Sequence, residues 1–318
     1  MNSNPVKLAR NFSNGSIFSN VQASSGEVSS LDEAWTRPFS FFNILNKKKL
    51  FNKAELISTE VAILNAKSGC FYWIKSGFPE SIWSALPITS HRLITPNYEI
   101  ENSLITAIDH LFKVHEAAFE IFKTFVNCIV WTEIDPRIHG KIDEITSSTF
   151  PILPFCVFVS NKALKHIPPN AVSPESSFRF LAENLLHEAV HQQVNVTLLE
   201  KDVFVSSYRS SSSPKIEIKW RANQGIARNQ FWELDRVLHA IYVYIEVSKY
   251  RIVELESNEI SDLEKKYFAL ALKTGKVALN YLLSEVLLFR DYFTIFGNNL
   301  LDGLEAEIAK IETFEMSE

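Results

Sequence analysis

The chain has 318 residues, a formal net charge of −5, 24 phenylalanines and only 9 glycines, where an average usage of about 7% would give roughly 22 glycines. No two glycines have the spacing of a G-x-G-x-x-G dinucleotide-binding loop, and neither Gly-Lys pair has the upstream glycine of a P-loop. Dinucleotide-binding and P-loop folds are therefore excluded, and the net negative charge argues against a nucleic-acid partner.

The cysteines and the apolar stretches indicate the compartment. Cys70, Cys128 and Cys156 are odd in number, widely separated and free of any C-x-x-C pattern, which suits a reducing cytosol and gives no zinc-thiolate site. No apolar stretch approaches the ~20 residues that span a bilayer, and the first residues lack the apolar core of a secretory signal. We expect a cytoplasmic globular protein with no membrane partner, and the sequence leaves its oligomeric state open.

The N-terminal half of the sequence is expected to form a flexible tail followed by a mixed α/β region. Residues 1–30 are rich in serine and asparagine and predict a flexible tail. Residues 31–170 predict a mixed α/β region, in which the apolar spacing from Tyr98 to Val126 is typical of one amphipathic helix. The other elements expected in this region are a helix over 52–66 and short strands over 70–75, 127–132, 145–150 and 155–160.

The C-terminal half predicts a helical region, residues 171–318, although residues 31–318 could also form one continuous domain. Ser173 and Pro174 predict the N-cap and first residue of a helix that continues to residue 199. Further helices are expected over 230–253, 262–289 and 300–314, with a brief strand over 215–220. The expected fold class is α+β and mainly α-helical, with the helices packed against a small β-sheet.

The motif that carries chemistry lies within the first of these helices. The residues His187-Glu188-Ala189-Val190-His191 form an H-E-x-x-H sequence. Side chains four residues apart lie one above the other on a helix, so both imidazoles can bind one cation from the same face. A divalent transition metal is the expected ligand of this pair.

The residues alone leave the third metal ligand and the reaction open. In a zinc metallopeptidase Glu188 would be the general base for a metal-bound water. The metzincin continuation is absent, because Val194 and Leu198 occupy the positions of its glycine and third histidine. The predicted helix 230–253 offers either Glu233 or His239. These two are six residues apart, about 600° of helix rotation, so only one of them can point at the metal.

Four short motifs between residues 175 and 250 resemble a known family. They are Leu186-His187-Glu188-Ala189-Val190-His191, Tyr208-Arg209, Trp220-Arg221 and Leu238-His239-Ala240-Ile241-Tyr242. Together they are similar to the HExxH-type, α-ketoglutarate-dependent peptide β-hydroxylases, which are iron enzymes that modify ribosomally made precursor peptides. The resemblance covers this stretch only.

The resemblance implies a ligand set and a substrate. His187, His191 and His239 would hold Fe(II), and α-ketoglutarate and O₂ would be co-substrates. A planar guanidinium suits the remote C5 carboxylate of α-ketoglutarate, and Arg221 is the first candidate, followed by Arg228 and Arg209. The expected reaction is hydroxylation of a side-chain β-carbon in a precursor peptide. The alternatives are the zinc metallopeptidase, with Glu188 as base and Glu233 as third ligand, and a peptide-binding module with a degenerate metal site.

Overall fold

The computed structural model describes residues 59–95, 97–138, 144–150, 153–169, 171–222 and 230–315. The chain divides into two compact units, the first ending at Gln193 and the second beginning at Val194. The predicted tail, residues 1–30, and the first part of the predicted helix over 52–66 lie outside the described residues.

A mixed β-sheet forms the centre of the first unit. The strands of this unit are β1 (Glu60–Ala66), β2 (Gly69–Ser76), β3 (His91–Leu93), β4 (Cys128–Ile134), β5 (Ser147–Phe150), β6 (Leu153–Val159), β7 (His166–Ile167) and β8 (Ala171–Val172). The order within the sheet is β1-β2-β4-β6-β5, with β3 paired to β4 off this path. The central strands β2, β4 and β6 run parallel, whereas β1, β3 and β5 each pair antiparallel to a neighbour.

The N-terminal hairpin corrects one prediction. Residues 60–66, expected to end a helix, form β1 and pair with β2, for example Ile63 opposite Tyr72. A short apolar run fits a buried strand as well as a helix, so periodicity alone does not decide between them. The turn ends at Gly69, whose φ of +151° favours glycine. The strands predicted over 70–75, 127–132, 145–150 and 155–160 are confirmed as β2, β4, β5 and β6.

The helix predicted from Tyr98 to Val126 is two helices. The helices of the first unit are α1 (Glu80–Trp83), α2 (Tyr98–Val114), α3 (Glu116–Phe125) and α4 (Phe178–Glu200), the last of which continues past the unit boundary. His115 separates α2 from α3 with a non-helical φ of −148°, and its Nδ1 accepts a hydrogen bond from the Ala118 N–H. Of the predicted apolar positions, Val126 is 2% exposed and Phe112 is 53% exposed, and the others are at most 1% exposed, namely Leu104, Ile108, Leu111, Phe119 and Phe122.

Helix α4 carries the H-E-x-x-H motif and begins four residues later than predicted. Ser173 is not its N-cap, because its Oγ accepts from the Glu175 N–H in the turn before the helix. Ser177 takes that place, and its Oγ accepts from the Arg179 N–H at 3.0 Å. Between Phe180 and Leu186 every side chain is at most 1% exposed. A helix enclosed on all sides is held in place by packing, which suits it to position functional side chains.

The second unit is mainly helical. Its elements are β9 (Lys215–Glu217), α5 (Lys219–Ala222), β10 (Phe231–Glu233), α6 (Leu234–Glu256), α7 (Asp262–Leu287) and α8 (Ile295–Glu312). The helix expected over 230–253 begins later, because its first residues pair with β9 as strand β10. The helix over 262–289 is confirmed as α7. Helix α8 begins five residues before the predicted Leu300, where Thr294 caps it by accepting from the Gly297 N–H.

The expected α+β, mainly helical class is confirmed. Most regular structure in the described residues is helical, with the sheet of the first unit beside it. Every helix in these ranges is too short or too polar to cross a membrane.

Candidate functional site

The two histidines of the H-E-x-x-H motif lie side by side on α4. The ring centroids of His187 and His191 are 4.9 Å apart, with an angle of 66° between the ring planes. Both side chains are partly exposed, whereas Leu186 and Val190 between them are fully buried. The helix therefore anchors itself through its apolar positions and leaves two neighbouring imidazoles accessible to a ligand. Imidazole pairs of this kind suit iron, zinc and other transition metals.

The neighbouring side of α4 is hydrogen-bonded to strand β5. Ser147 Oγ donates to Glu188 Oε1 at 2.7 Å, and Gln192 Nε2 donates to Thr149 Oγ1. Glu188 and Gln192 are one helical turn apart on α4, a distance of about 5 to 6 Å along the helix. Ser147 and Thr149 are two residues apart on β5, a distance of about 6 to 7 Å along the strand. The two pairs of side chains are therefore spaced alike and can form both hydrogen bonds together. We call these two contacts the α4–β5 clamp. They fix the rotation of the helix that carries both histidines.

Glu188 is buried within this clamp. Its side chain is 3% exposed, and burial raises its pKa to about 7, although the hydrogen bond from Ser147 acts in the opposite direction. One of its carboxylate oxygens is engaged by the strand. This contact gives Glu188 a role in holding α4, which differs from the proton transfer that a zinc peptidase requires of this residue.

His239, the predicted third ligand, lies on α6 in the second unit. Burial lowers its pKa to about 4, and the charge of Asp235 opposes that shift. The imidazole is thus neutral at physiological pH, which is the form that binds metals. Asp235 is held at the start of α6 by the Tyr208 hydroxyl, which donates to Asp235 Oδ1 at 2.8 Å, and by Ser210 Oγ at 3.1 Å.

Glu233, the alternative third ligand, is not on the helix as predicted. It is the last residue of β10, and its carboxylate forms an ion pair with Lys215 Nζ at 3.1 Å. A hydrogen bond from its own backbone and the ion pair with Lys215 lower its pKa. Glu233 and His239 therefore do not lie on one helix as the sequence predicts, because Glu233 precedes α6.

The three candidate arginines differ in their surroundings. The Arg221 guanidinium carbon lies 4.9 Å from the centroid of the Trp232 ring. Arg209 is exposed and donates to the backbone carbonyl oxygens of Ser206 and Tyr208 at 2.8 and 2.6 Å. Arg228 lies outside the described residues. Of the two described arginines, Arg221 is the one whose guanidinium is positioned by an aromatic ring and makes no hydrogen bond to a backbone carbonyl.

The structure brings together some of the predicted site residues. His187, His191 and Glu188 lie on one helix of the first unit, and His239, Arg221 and Arg209 belong to the second unit. Across the described ranges, no three His, Cys, Asp or Glu side chains are gathered so that they could hold a metal ion. The third ligand therefore stays a prediction, while the paired imidazoles of α4 fit the first two positions of a metal centre.

Several side chains that shape these sites are not predicted from the sequence, among them Ser147, Thr149 and Trp232. Ser147 and Thr149 carry hydroxyls on alternate positions of a predicted strand, which was the available signal for a polar contact on one face. Trp232 had no such signal, because its contact with Arg221 depends on how β9 pairs with β10.

No family model matches this sequence, and the search of curated proteins finds no match. The case for a function therefore rests on the residues of the chain.

Proposed function

We propose that this protein is an Fe(II)- and α-ketoglutarate-dependent oxygenase that acts in the cytoplasm and hydroxylates a side-chain β-carbon of a ribosomally made precursor peptide. The observation that supports it most is the accessible pair His187 and His191 beside a glutamate that is engaged by Ser147. The motif resemblance between residues 175 and 250 supports the same reaction class. The three free cysteines suit a reducing compartment.

The residues have separate roles in this proposal. His187 and His191 would hold Fe(II) together with His239, which supplies a third neutral imidazole. Bound Fe(II) would activate O₂ and couple the decarboxylation of α-ketoglutarate to hydroxylation of the peptide. Arg221 would bind the C5 carboxylate of α-ketoglutarate through paired N–H groups. Glu188 would fix the rotation of α4, and so the direction of both histidines, through Ser147.

The proposal is tested on the full chain without a peptide. Under anaerobic conditions, addition of Fe(II) and α-ketoglutarate is expected to give a visible charge-transfer band, and admission of O₂ is expected to yield succinate. His187→Ala and His191→Ala should lose both signals while keeping the helical circular dichroism of the wild type. If the wild type gives neither band nor succinate, the oxygenase proposal is wrong.

Glu188→Gln distinguishes the oxygenase from a zinc metallopeptidase. A glutamine keeps an oxygen that accepts from Ser147, but it cannot take a proton from water. We expect this variant to form succinate at a rate close to that of the wild type. Hydrolysis of peptides by the zinc-loaded wild type, abolished in Glu188→Gln, would instead support the metallopeptidase with Glu188 as its base.

A further inference from the structure

Helix α7 carries an exposed line of apolar side chains opposite its buried face. The buried face contributes to the core of the second unit, where Phe268 and Leu279 are 0% exposed. On the other side Leu270 is 52% exposed and Val277 is 68% exposed, and Leu288, directly after the helix, is 74% exposed. Single exposed apolar residues are ordinary on a protein surface, whereas apolar residues that recur along one face of a helix indicate an interaction site.

These exposed residues belong to a heptad pattern. Steps of four and three residues alternate along the line Leu263, Tyr267, Leu270, Thr274, Val277, Tyr281, Ser284 and Leu288. Every member is at least partly exposed. The hydroxyls of Thr274 and Ser284 donate to the backbone carbonyl oxygens of Leu270 and Tyr281, so the two small polar members are satisfied within the helix. We call this line the α7 seam, because its period of 3.5 residues is that of the contact positions of a coiled coil.

The seam is long and narrow. From Leu263 to Leu288 it follows the helix for about 38 Å, at a rise of 1.5 Å per residue. It contains only two positions per heptad, which is typical of helix-to-helix packing, whereas a helix that lies in a membrane interface has a broad apolar face. The geometry therefore favours another helix as the occupant.

Lysines line one flank of the seam. Lys266 and Lys273 are exposed and lie one heptad apart, each directly before a seam residue. Among the described residues, neither of these side chains has a hydrogen bond or an ion pair. A third cation lies at the seam itself, since Lys219 Nζ of α5 is 4.2 Å from the centroid of the Tyr281 ring. Charges at the flanking positions of a coiled coil select the partner, so these lysines favour acidic residues on the other helix.

A second copy of α7 would not supply these acidic residues. In a parallel pair of α7 helices Lys266 and Lys273 would face Ala271 and Ala278, and in an antiparallel pair the lysine flanks would face each other. Ala271 and Ala278 are also buried, with exposed fractions of 1% and 3%. A symmetric pair would thus leave the lysines unmatched or bring like charges together.

We propose that the α7 seam binds an amphipathic helix of another polypeptide, with apolar residues at a 3.5-residue period and acidic residues beside them. Such a helix would cover Leu270, Val277 and Leu288, and its carboxylates would pair with Lys266 and Lys273. Binding needs neither the paired histidines nor a co-substrate, so this interaction surface goes beyond the proposed oxygenase reaction.

The test uses the full chain and two labelled synthetic peptides, each about three heptads long. The acidic peptide has leucine at both seam positions of every heptad and glutamate at the flanking positions, and the basic peptide has lysine in place of each glutamate. Binding is measured by fluorescence anisotropy. We expect saturable binding of the acidic peptide and about tenfold weaker binding of the basic peptide.

Variants of α7 locate the binding surface. Val277→Glu places a charge within the seam and should weaken binding of the acidic peptide about tenfold or more, while the helical circular dichroism stays unchanged because this position is exposed. Lys273→Glu should weaken it about threefold or more. Lys265→Glu is the matched control, because this exposed lysine of the same helix faces away from the seam, and it should bind as the wild type does. Reversal of both Lys266 and Lys273 to glutamate should reverse the preference between the two peptides.

Other occupants of the seam give different results. A dimer of the wild-type chain that Val277→Glu dissociates in analytical ultracentrifugation would assign the seam to a second copy and overturn the proposal. Binding to phosphatidylserine vesicles that Val277→Glu abolishes, without binding of the acidic peptide, would assign it to a membrane and overturn the proposal as well. Equal binding of both peptides, binding of neither, or unchanged binding by Val277→Glu would also contradict it. None of these measurements involves a metal or succinate, so the result is separate from that of the proposed function.

Discussion

Ser147→Ala tests whether the α4–β5 clamp holds the helix that carries the metal-binding histidines. The substitution removes the hydroxyl that donates to Glu188 Oε1 at 2.7 Å. Glu188 is 3% exposed, so water cannot replace the lost donor. At about pH 8, above the Glu188 pKa of about 7, the carboxylate is charged. A hydrogen bond to a charged group is worth about 1.5 to 3 kcal/mol, and we expect the variant to lose about 2 kcal/mol of local stability at that pH.

The assay is native-state hydrogen exchange of the amides in α4, which reports the free energy of local opening. A loss of about 2 kcal/mol corresponds to roughly 30-fold faster exchange. Ser148→Ala is the matched control, because it removes the same hydroxyl from the opposite face of β5. It should alter the free energy of local opening of α4 by less than about 0.5 kcal/mol. Equal exchange rates in the two variants would refute a role for Ser147 in holding Glu188 and α4.

Three further predictions concern other parts of the chain. Gly297→Ala should destabilise the second unit by about 3 kcal/mol or more in urea unfolding, because the added Cβ would collide with a backbone carbonyl. Gly303→Ala has open space around its Cβ and should stabilise the unit by about 0.5 to 1 kcal/mol. The opposite order of the two free energies would contradict the packing around α8. A thiol reagent should label only Cys70 in the native protein, because the other two cysteines are 0% exposed; fast labelling of all three would contradict this burial. Tyr208→Phe should lower the free energy of unfolding of the second unit by about 1 to 3 kcal/mol, since the hydroxyl that holds Asp235 is lost. An unchanged melting temperature would contradict a contribution of this contact to stability.

The sequence predicts the local features of this protein well. The alternation of β-branched and aromatic residues predicts β4, β5 and β6, and the pairing of His187 and His191 follows from the period of a helix. The break at His115 is different, because the apolar spacing continues across it and only the backbone of that residue departs from the helix. The strand β1 was also missed, since a short apolar run does not distinguish a helix from a strand.

The contacts that define the candidate sites depend on tertiary structure. Ser147 and Glu188 are 41 residues apart, and they meet because β5 pairs with β6 and α4 packs beside this edge of the sheet. The contact of Trp232 with Arg221 depends in the same way on the β9–β10 pairing that ends at Glu233. No local sequence pattern encodes such contacts between distant residues. A sequence can therefore indicate the chemically active residues without indicating which side chains they contact.

Isotopic labelling tests the central proposal most directly. The full chain is loaded with Fe(II), supplied with α-ketoglutarate and exposed to isotopically labelled O₂, and the succinate is analysed by mass spectrometry. The account predicts a single labelled oxygen atom in the new carboxylate of succinate, and no succinate from His191→Ala. Absence of labelled succinate from the wild type, with peptide-bond hydrolysis by the zinc-loaded chain, would contradict it.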